Sequence, residues 1–270
     1  MSKEAPPVSK NLKDFNALLD IVKRLRGPDG CPWDKEQTHK SLTRFAIEEA
    51  FELAEAIDQD DQAEIIQELG DVLLQVVLHS EIARQDKRFD VTDVIEAISS
   101  KMIRRHPHVF GDVSVKDSNE VLKNWGEIKA SEKADAGKSA SLERFDVPEQ
   151  LPALIRAQKI GEKTSRQRFD WPSAKEVMLK VEEELLEVKE AIQSKDEAEI
   201  EAEIGDLLFS VAQLARHLNV DPEQSLRQCN RRFERRFFKM QQLAQARKLD
   251  FMSLADAEVE SLWTEAKKLT

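Results

Sequence analysis

The chain has 270 residues with 41 basic and 52 acidic side chains, a net charge of -11, and 34% charged against 40% hydrophobic residues. That balance excludes a surface built for non-specific binding to nucleic acid or anionic membrane, and no apolar run approaches a membrane span. Two distant cysteines, Cys31 and Cys229, exclude a disulfide framework or a zinc cluster. Met1 to Lys10 has no apolar signal core, so a soluble, bacterial-type cytoplasmic protein is expected.

Only 8 Gly and 9 Pro occur, and no Pro lies between Pro32 and Pro107 or between Pro172 and Pro222. Long breaker-free runs rich in Glu, Leu, Ala, Lys and Ile predict an all-α fold. Residues 1–10 read as a loose lead-in. Asn11 to Arg26 reads as a helix with Leu12, Phe15, Leu19 and Val22 on one face. Gly27-Pro-Asp-Gly-Cys-Pro-Trp-Asp34 is loop punctuation, with Trp33 expected as a core anchor beside it. Helices follow over Thr43–Gln59 and Gln62–Gln85, and another starts at the cap-like Asp90-Val-Thr-Asp and runs to about Arg105. His106-Pro-His-Val-Phe-Gly reads as a loop and Val121–Lys133 as a further helix. The pair His106 and His108 lacks the further ligands a metal site needs. Residues 134–150 turn to Ala, Ser, Lys and Gly ahead of Val147-Pro148, giving an expected division into 1–135, a linker 136–150, and 151–270.

The second half then repeats the first. Ile47-Glu-Glu-Ala-Phe-Glu-Leu-Ala-Glu-Ala-Ile57 answers Glu182-Glu-Glu-Leu-Leu-Glu-Val-Lys-Glu-Ala-Ile192 at a shift of 135, and Glu68-Leu-Gly-Asp71 answers Glu203-Ile-Gly-Asp206 at the same shift. Arg104-Arg105 answers Arg235-Arg236, and Trp125-Gly-Glu-Ile-Lys129 answers Trp263-Thr-Glu-Ala-Lys267.

On a helix, Val181, Leu185, Val188 and Ile192 form an apolar stripe, and Glu184 and Glu187 fall roughly 60° and 120° to one side of it. Ile200, Ile204, Leu207 and Val211 form the next stripe, with Glu203 and Asp206 at the same two offsets. Two helices packed by these stripes bring four carboxylates to one edge of the seam. Four close carboxylates repel one another unless a cation joins them. A lone Glu-x-x-Glu is ordinarily a solvated face, but here the whole pattern occurs twice. Each copy also carries a Gly that is costly inside a helix, by roughly 1 kcal/mol against Ala, which suggests close approach by a neighbouring helix or a ligand.

An all-oxygen ligand set favours Mg²⁺ or Mn²⁺ over Zn²⁺ or Cu²⁺, and a di-iron bundle would want Glu-x-x-His. Mg²⁺ on a few carboxylates keeps positions open for water and substrate phosphates, so a phosphate clamp is the remaining requirement. Lys180 lies one turn before Glu184, and Arg232, Arg235 and Arg236 share a later helix face. From spacing alone those arginines fit a phosphate clamp or ion pairs on a Glu-rich surface equally well. Trp263 fits either base stacking or packing at a helix end.

The motifs Gly30-Cys-Pro-Trp-Asp34, Gln37-Thr-His39, Glu48-Glu49 with Glu52, Glu68-Leu-Gly-Asp71, Arg104-Arg-His-Pro-His-Val-Phe110, Phe169-Asp-Trp171, Glu183-Glu184 with Glu187, Glu203-Ile-Gly-Asp206 and Phe233-Glu-Arg-Arg-Phe237 together resemble the MazG family of all-α nucleoside triphosphate pyrophosphohydrolases. The resemblance covers nearly the whole chain. It implies tandem four-helix modules, dimerised, that cut nucleoside triphosphates to monophosphate and pyrophosphate with Mg²⁺. Glu184, Glu187, Glu203 and Asp206 would then ligate the metal, with Glu49, Glu52, Glu68 and Asp71 as the equivalents in the first half. Lys180, Arg232, Arg235, Arg236 and Trp263 would contact the nucleotide. The chain departs from the family where Arg168 precedes Phe169-Asp-Trp171 in place of Gly, and where Thr164-Ser165 replace a small Ala pair.

Metal-assisted hydrolysis is the expected chemistry, with Glu183 (or Glu48 in the first half) as a candidate acceptor of the water's proton. Phe45 stands where Lys180 stands in the second half, so the second half is expected to be the main catalyst. Two other readings compete: a regulator that holds Mg²⁺·NTP without cutting it, and a purely structural helical dimer.

Overall fold

A computed structural model of the chain describes residues 11–135 and 145–270. The lead-in 1–10 and the 136–144 part of the expected linker lie outside the described residues. The fold is all-α. The chain divides into two compact units, Met1–Lys138 and Ser139–Thr270.

The first unit contains α1 (Phe15–Leu25), α2 (Pro32–Glu36), α3 (His39–Gln59), α4 (Gln62–Gln85), α5 (Val91–Arg105), the single turn α6 (Pro107–Phe110) and α7 (Ser118–Asp135). α4 is its spine, with α1, α3 and α5 packed on it and α7 on α5. Val22, Leu42, Val77, Leu78 and Ile82 form the core, flanked by Leu18, Leu19, Phe45 and Leu74. The second unit contains α8 (Ala153–Arg166), α9 (Ala174–Ser194), α10 (Glu197–His217), α11 (Pro222–Ala246), a 3-10 turn at Phe251–Ser253 and α12 (Asp256–Leu269). Here α10 is the spine for α8, α9 and α11, and α12 packs on α11 around Met240, Ala244, Leu262 and Ala266.

Side-chain caps set the helix starts. Asp14 accepts from Asn16 N, so α1 begins at Phe15 rather than at Asn11. A reciprocal Thr38–Ser41 capping box starts α3 at His39, four residues before the expected Thr43. Asp90 and Asp93 form the corresponding box at α5. Helix exits are less usual. Asp60, Lys87, Arg168, Lys195, Asn219 and Lys248 all take positive φ, the conformation that glycine normally fills. At Arg168 the turn closes with Phe169 N donating to Thr164 O and Arg168 N to Ser165 O. Four of the six are cations, which suits the negative end of the helix dipole and offsets part of a strain of roughly 1 kcal/mol each.

Two expectations are corrected. Trp33 is no core anchor: it is 50% exposed and meets the edge of Phe45, ring centres 5.8 Å apart. Its loop is fastened instead by Arg26, which donates through Nη1 to the carbonyls of Asp34 and Gln37 and through Nε to Gln85 Oε1. Gly30 lies so close to the end of α1 that a Cβ would sit 2.1 Å from Leu25 O. The buried line of α9 also differs from the predicted stripe. It runs Val177, Glu184, Val188 and Ala191, while Leu185 and Ile192 are exposed. α9 is apolar on two sides, and α10 covers only one of them.

Candidate functional site

Each unit presents its carboxylates from a pair of antiparallel helices. Asp61 caps α4 and Asp196 caps α10, each by accepting from two backbone amides. These equivalent starts fix the same helical phase downstream, so Glu68/Asp71 and Glu203/Asp206 face their partner helices alike. In the first unit, one carboxylate oxygen each from Glu49, Glu68 and Asp71 lies within 4.8 Å of the others. In the second unit Glu184, Glu203 and Asp206 do the same.

The fourth acid of each set lies beside its cluster. A hydrogen bond shared with Glu184, then burial, and then the charges of Glu184 and Glu203 push the Glu187 carboxyl up. In the first unit burial and the charges of Asp71, Glu52 and Glu68 push Glu49 up, and burial with Glu52 and Asp71 does so for Glu68. Glu68 Oε2 is buried with no hydrogen-bond partner. An all-oxygen set, mutually repelling and with an orphaned acceptor, fits a hard divalent cation.

The second unit has a cation of its own. Lys180 Nζ lies 2.8 Å from Glu184 Oε1 and 2.7 Å from Glu183 Oε1, one helical turn along α9. Both contacts hold the ammonium protonated, raising its pKa. Glu184 itself is 5% exposed, and Lys180 is the cation paired with it. Phe45, at the matching place in α3, packs into the apolar core instead.

The remaining candidates are placed as follows. Arg232 and Arg235 are exposed on α11, and Arg236 is half-buried with its Nε buried and unpartnered. Arg235 Nη2 donates to Thr270 O at 3.3 Å. Among the described residues no Asp or Glu side chain pairs with these three arginines, which favours the clamp alternative over surface ion pairs. Trp263 packs on the α11–α12 core with its ring 5.2 Å from that of Phe233, the packing alternative. A Cβ at Gly70 or Gly205 would meet nothing within 4 Å, so among the described residues no neighbouring helix presses on either glycine, which leaves the ligand alternative.

Sequence reasoning missed the anchor behind the second site. Arg216 grips Asp170 of the Phe169-Asp-Trp171 motif through two bonds, of 2.5 and 2.9 Å, and His217 Nε2 lies 3.1 Å from the same carboxylate. Arg216 also donates to Gln213 Oε1, and the fully buried Gln213 donates to Ala157 O. Arg216 first, and His217 with it, hold Asp170 well below the usual carboxylate range. The network ties the loop before α9 to α10. Its only sequence signal was Asp170 inside a named motif.

Comparison with known proteins bears on these sites. The model of the MazG nucleotide pyrophosphohydrolase domain matches residues 37–110 and 173–239, one stretch in each unit. The chain is 46% identical over 253 residues to "Nucleoside triphosphate pyrophosphohydrolase/pyrophosphatase MazG" of Thermotoga maritima, covering 94% of this chain and 95% of that protein. It is 42% identical over 260 residues to the nucleoside triphosphate pyrophosphohydrolase of Escherichia coli K12, covering 95% and 98%. A Bacillus subtilis protein named YabN, of uncharacterized function, is 42% identical over 267 residues, which is 54% of its length. With the motif in both halves and full-length relatives at this identity, the chain belongs to the MazG nucleotide pyrophosphohydrolase family.

Proposed function

We propose that the chain is a nucleoside triphosphate pyrophosphohydrolase, a hydrolase of phosphoric anhydrides. It would cut ribo- and deoxynucleoside triphosphates to monophosphate and pyrophosphate with Mg²⁺, tolerate different bases, and serve control of the nucleotide pool. The observation that carries the reading is the paired acid clusters, each with three carboxylates converging within 4.8 Å. The names of the relatives supply the bond that is cut.

Glu184, Glu187, Glu203 and Asp206 would hold the metal, with Glu49, Glu52, Glu68 and Asp71 as the first unit's set. When bound, Mg²⁺ supplies Lewis-acid activation of water and neutralisation of phosphate charge. Glu184, now paired with Lys180, would be a ligand of the metal, and the Lys180 ammonium one turn away would contact the substrate phosphates. Arg232, Arg235 and Arg236 bind phosphate oxygens as a guanidinium clamp. Glu183, exposed at the cluster's edge, accepts the proton of the attacking water. Trp263, packed on the α11–α12 core, contacts the nucleotide beside the clamp.

The domain reading is 1–135 and 151–270 joined by residues 136–150, with the second domain as main catalyst. The chain works as a homodimer. Ile47, Phe51, Leu69 and Leu73 in the first unit, and Leu185, Leu186, Ile204 and Leu208 in the second, lie exposed on the helices that carry the acids. Apolar faces of that extent favour a partner, and a second copy supplies the matching face.

Incubating the purified protein with a panel of NTPs and dNTPs, with Mg²⁺ or with EDTA, tests the reading by product analysis. Mg²⁺-dependent monophosphate and pyrophosphate are expected, at comparable rates across bases. Diphosphate with orthophosphate would overturn the assigned bond. Bound but intact nucleotide would leave a regulator that holds the triphosphate without cutting it.

A further inference from the structure

The two arginines that answer Arg235-Arg236 in the first unit are not free. Arg104 Nε donates to Glu132 Oε1 at 2.7 Å, and Arg105 Nη2 donates to Glu132 Oε2 at 2.6 Å, so one carboxylate is forked between two guanidinium groups. Arg105 Nε adds bonds of 3.2 and 3.3 Å to the same two oxygens. The carboxylate is 18% exposed and Arg105 16%, so this contact is largely withdrawn from water. The arginines, chiefly Arg105, hold Glu132 down to about 2, and it stays charged at any physiological pH. Beside it lies a hollow of about 620 Å³ lined by Arg104, Pro107, Ile128, Ser131 and Glu132.

Glu132 comes from α7, seven residues after Trp125. The residue seven after Trp263 in the second unit is Thr270, whose side chain carries no charge. Oxygens of one anion spread over two guanidinium groups is the arrangement a phosphate also adopts. We propose that Arg104 and Arg105 form an anion clamp of phosphate-binding type in the first unit, and that Glu132 is the resident anion occupying it and excluding a triphosphate. A nucleotide seeking that clamp must displace Glu132 and leave its carboxylate without a partner in a partly dry position. In the second unit the contact at the matching position is one bond of 3.3 Å from Arg235 Nη2 to Thr270 O, in place of a carboxylate forked between two guanidinium groups. The inference rests on the reading of Arg235 and Arg236 as a phosphate clamp.

The test uses the full chain, Mg²⁺ and the non-hydrolysable α,β-methylene ATP in titration calorimetry. Glu132→Gln keeps an amide oxygen for the arginines, so α7 stays docked, but removes the charge. The variant is expected to bind one more analogue per chain than wild type. Adding Arg104→Ala and Arg105→Ala to it is expected to abolish that extra site. The increment over wild type tests the proposal, and the wild-type total tests the proposed function, so the two fail separately. No increment over wild type, or an extra site that survives loss of both arginines, overturns the proposal. Phenylglyoxal labelling of Arg104 and Arg105, read by mass spectrometry, gives a second measure that does not need tight binding. Labelling is expected to be slow in wild type, faster by roughly tenfold in Glu132→Gln, and slowed again by the analogue. Labelling of the variant that the analogue leaves unaltered also overturns the proposal.

Discussion

The two units hold the same acids in the same arrangement and differ in how the surrounding charge is answered. In the second unit Lys180 balances Glu184, while among the described residues no Asp or Glu side chain pairs with Arg232, Arg235 or Arg236, and Arg235 reaches Thr270 O. In the first unit the distribution is reversed. Phe45 leaves the Glu49 cluster without a lysine, and Glu132 occupies Arg104 and Arg105. The clamping of loops differs as well: Asp170–Arg216 in the second unit, Arg26–Gln85 in the first. The two units thus share the acids, which helical phase keeps in register, while the counter-charges differ. On the proposed reading those counter-charges set how readily each unit takes a polyanion.

The sharpest break of the comparison is Glu203→Ala against Glu68→Ala, followed by pyrophosphate release. Loss of a ligand from the working site is expected to lower turnover roughly a hundredfold or more, and the first-unit variant is expected to change it little. Equal losses would mean that both units work.

Asp170→Asn removes a charged, doubly bonded partner of Arg216 and is expected to cost about 1.5–3 kcal/mol by urea unfolding at pH 7. The sign with pH follows from a folded pKa depressed below the ordinary 3.8. The Asp170 contribution is complete above that ordinary value and is lost progressively as pH falls beneath it. The gap between wild type and variant should therefore narrow in acid; a gap that widens there would refute the ion pair.

Exchanging the counter-charge tests the next level. Lys180→Met is expected to raise KM for ATP roughly tenfold, one charge-assisted contact's worth. It is also expected to tighten Mn²⁺ binding measured by paramagnetic resonance, because no ammonium then competes for Glu184. Weaker Mn²⁺ binding in the variant would show that Lys180 shapes the metal site rather than standing in for the ion.

The smallest effect is expected from Arg168→Gly. It relieves a positive φ of 63° and is expected to stabilise by about 0.5–1 kcal/mol in thermal unfolding. Neutral or negative change would mean that the arginine's charge at the end of α8 outweighs the strain.

Much of this was legible in the chain itself. The all-α class followed from scarce breakers, and the repeat from a constant shift of 135 between acid motifs. Glu184, Glu203 and Asp206 could be brought together on paper because a helix converts spacing into direction. The Arg168 exit was visible as a departure but not as strain, since a left-handed φ has no signature in one residue's identity.

What the sequence determined by itself is whatever depends on local period: helix type, phase, a cap such as Asp90, and which acids share an edge. The tertiary structure alone decided which apolar side of α9 is covered, that Trp33 lies half in solvent, and that Glu132 rather than a surface acid reaches Arg104 and Arg105. Those outcomes depend on which helix lies across which. Burial and ion pairing between residues far apart in the chain are properties of that packing, and no spacing along one helix encodes them.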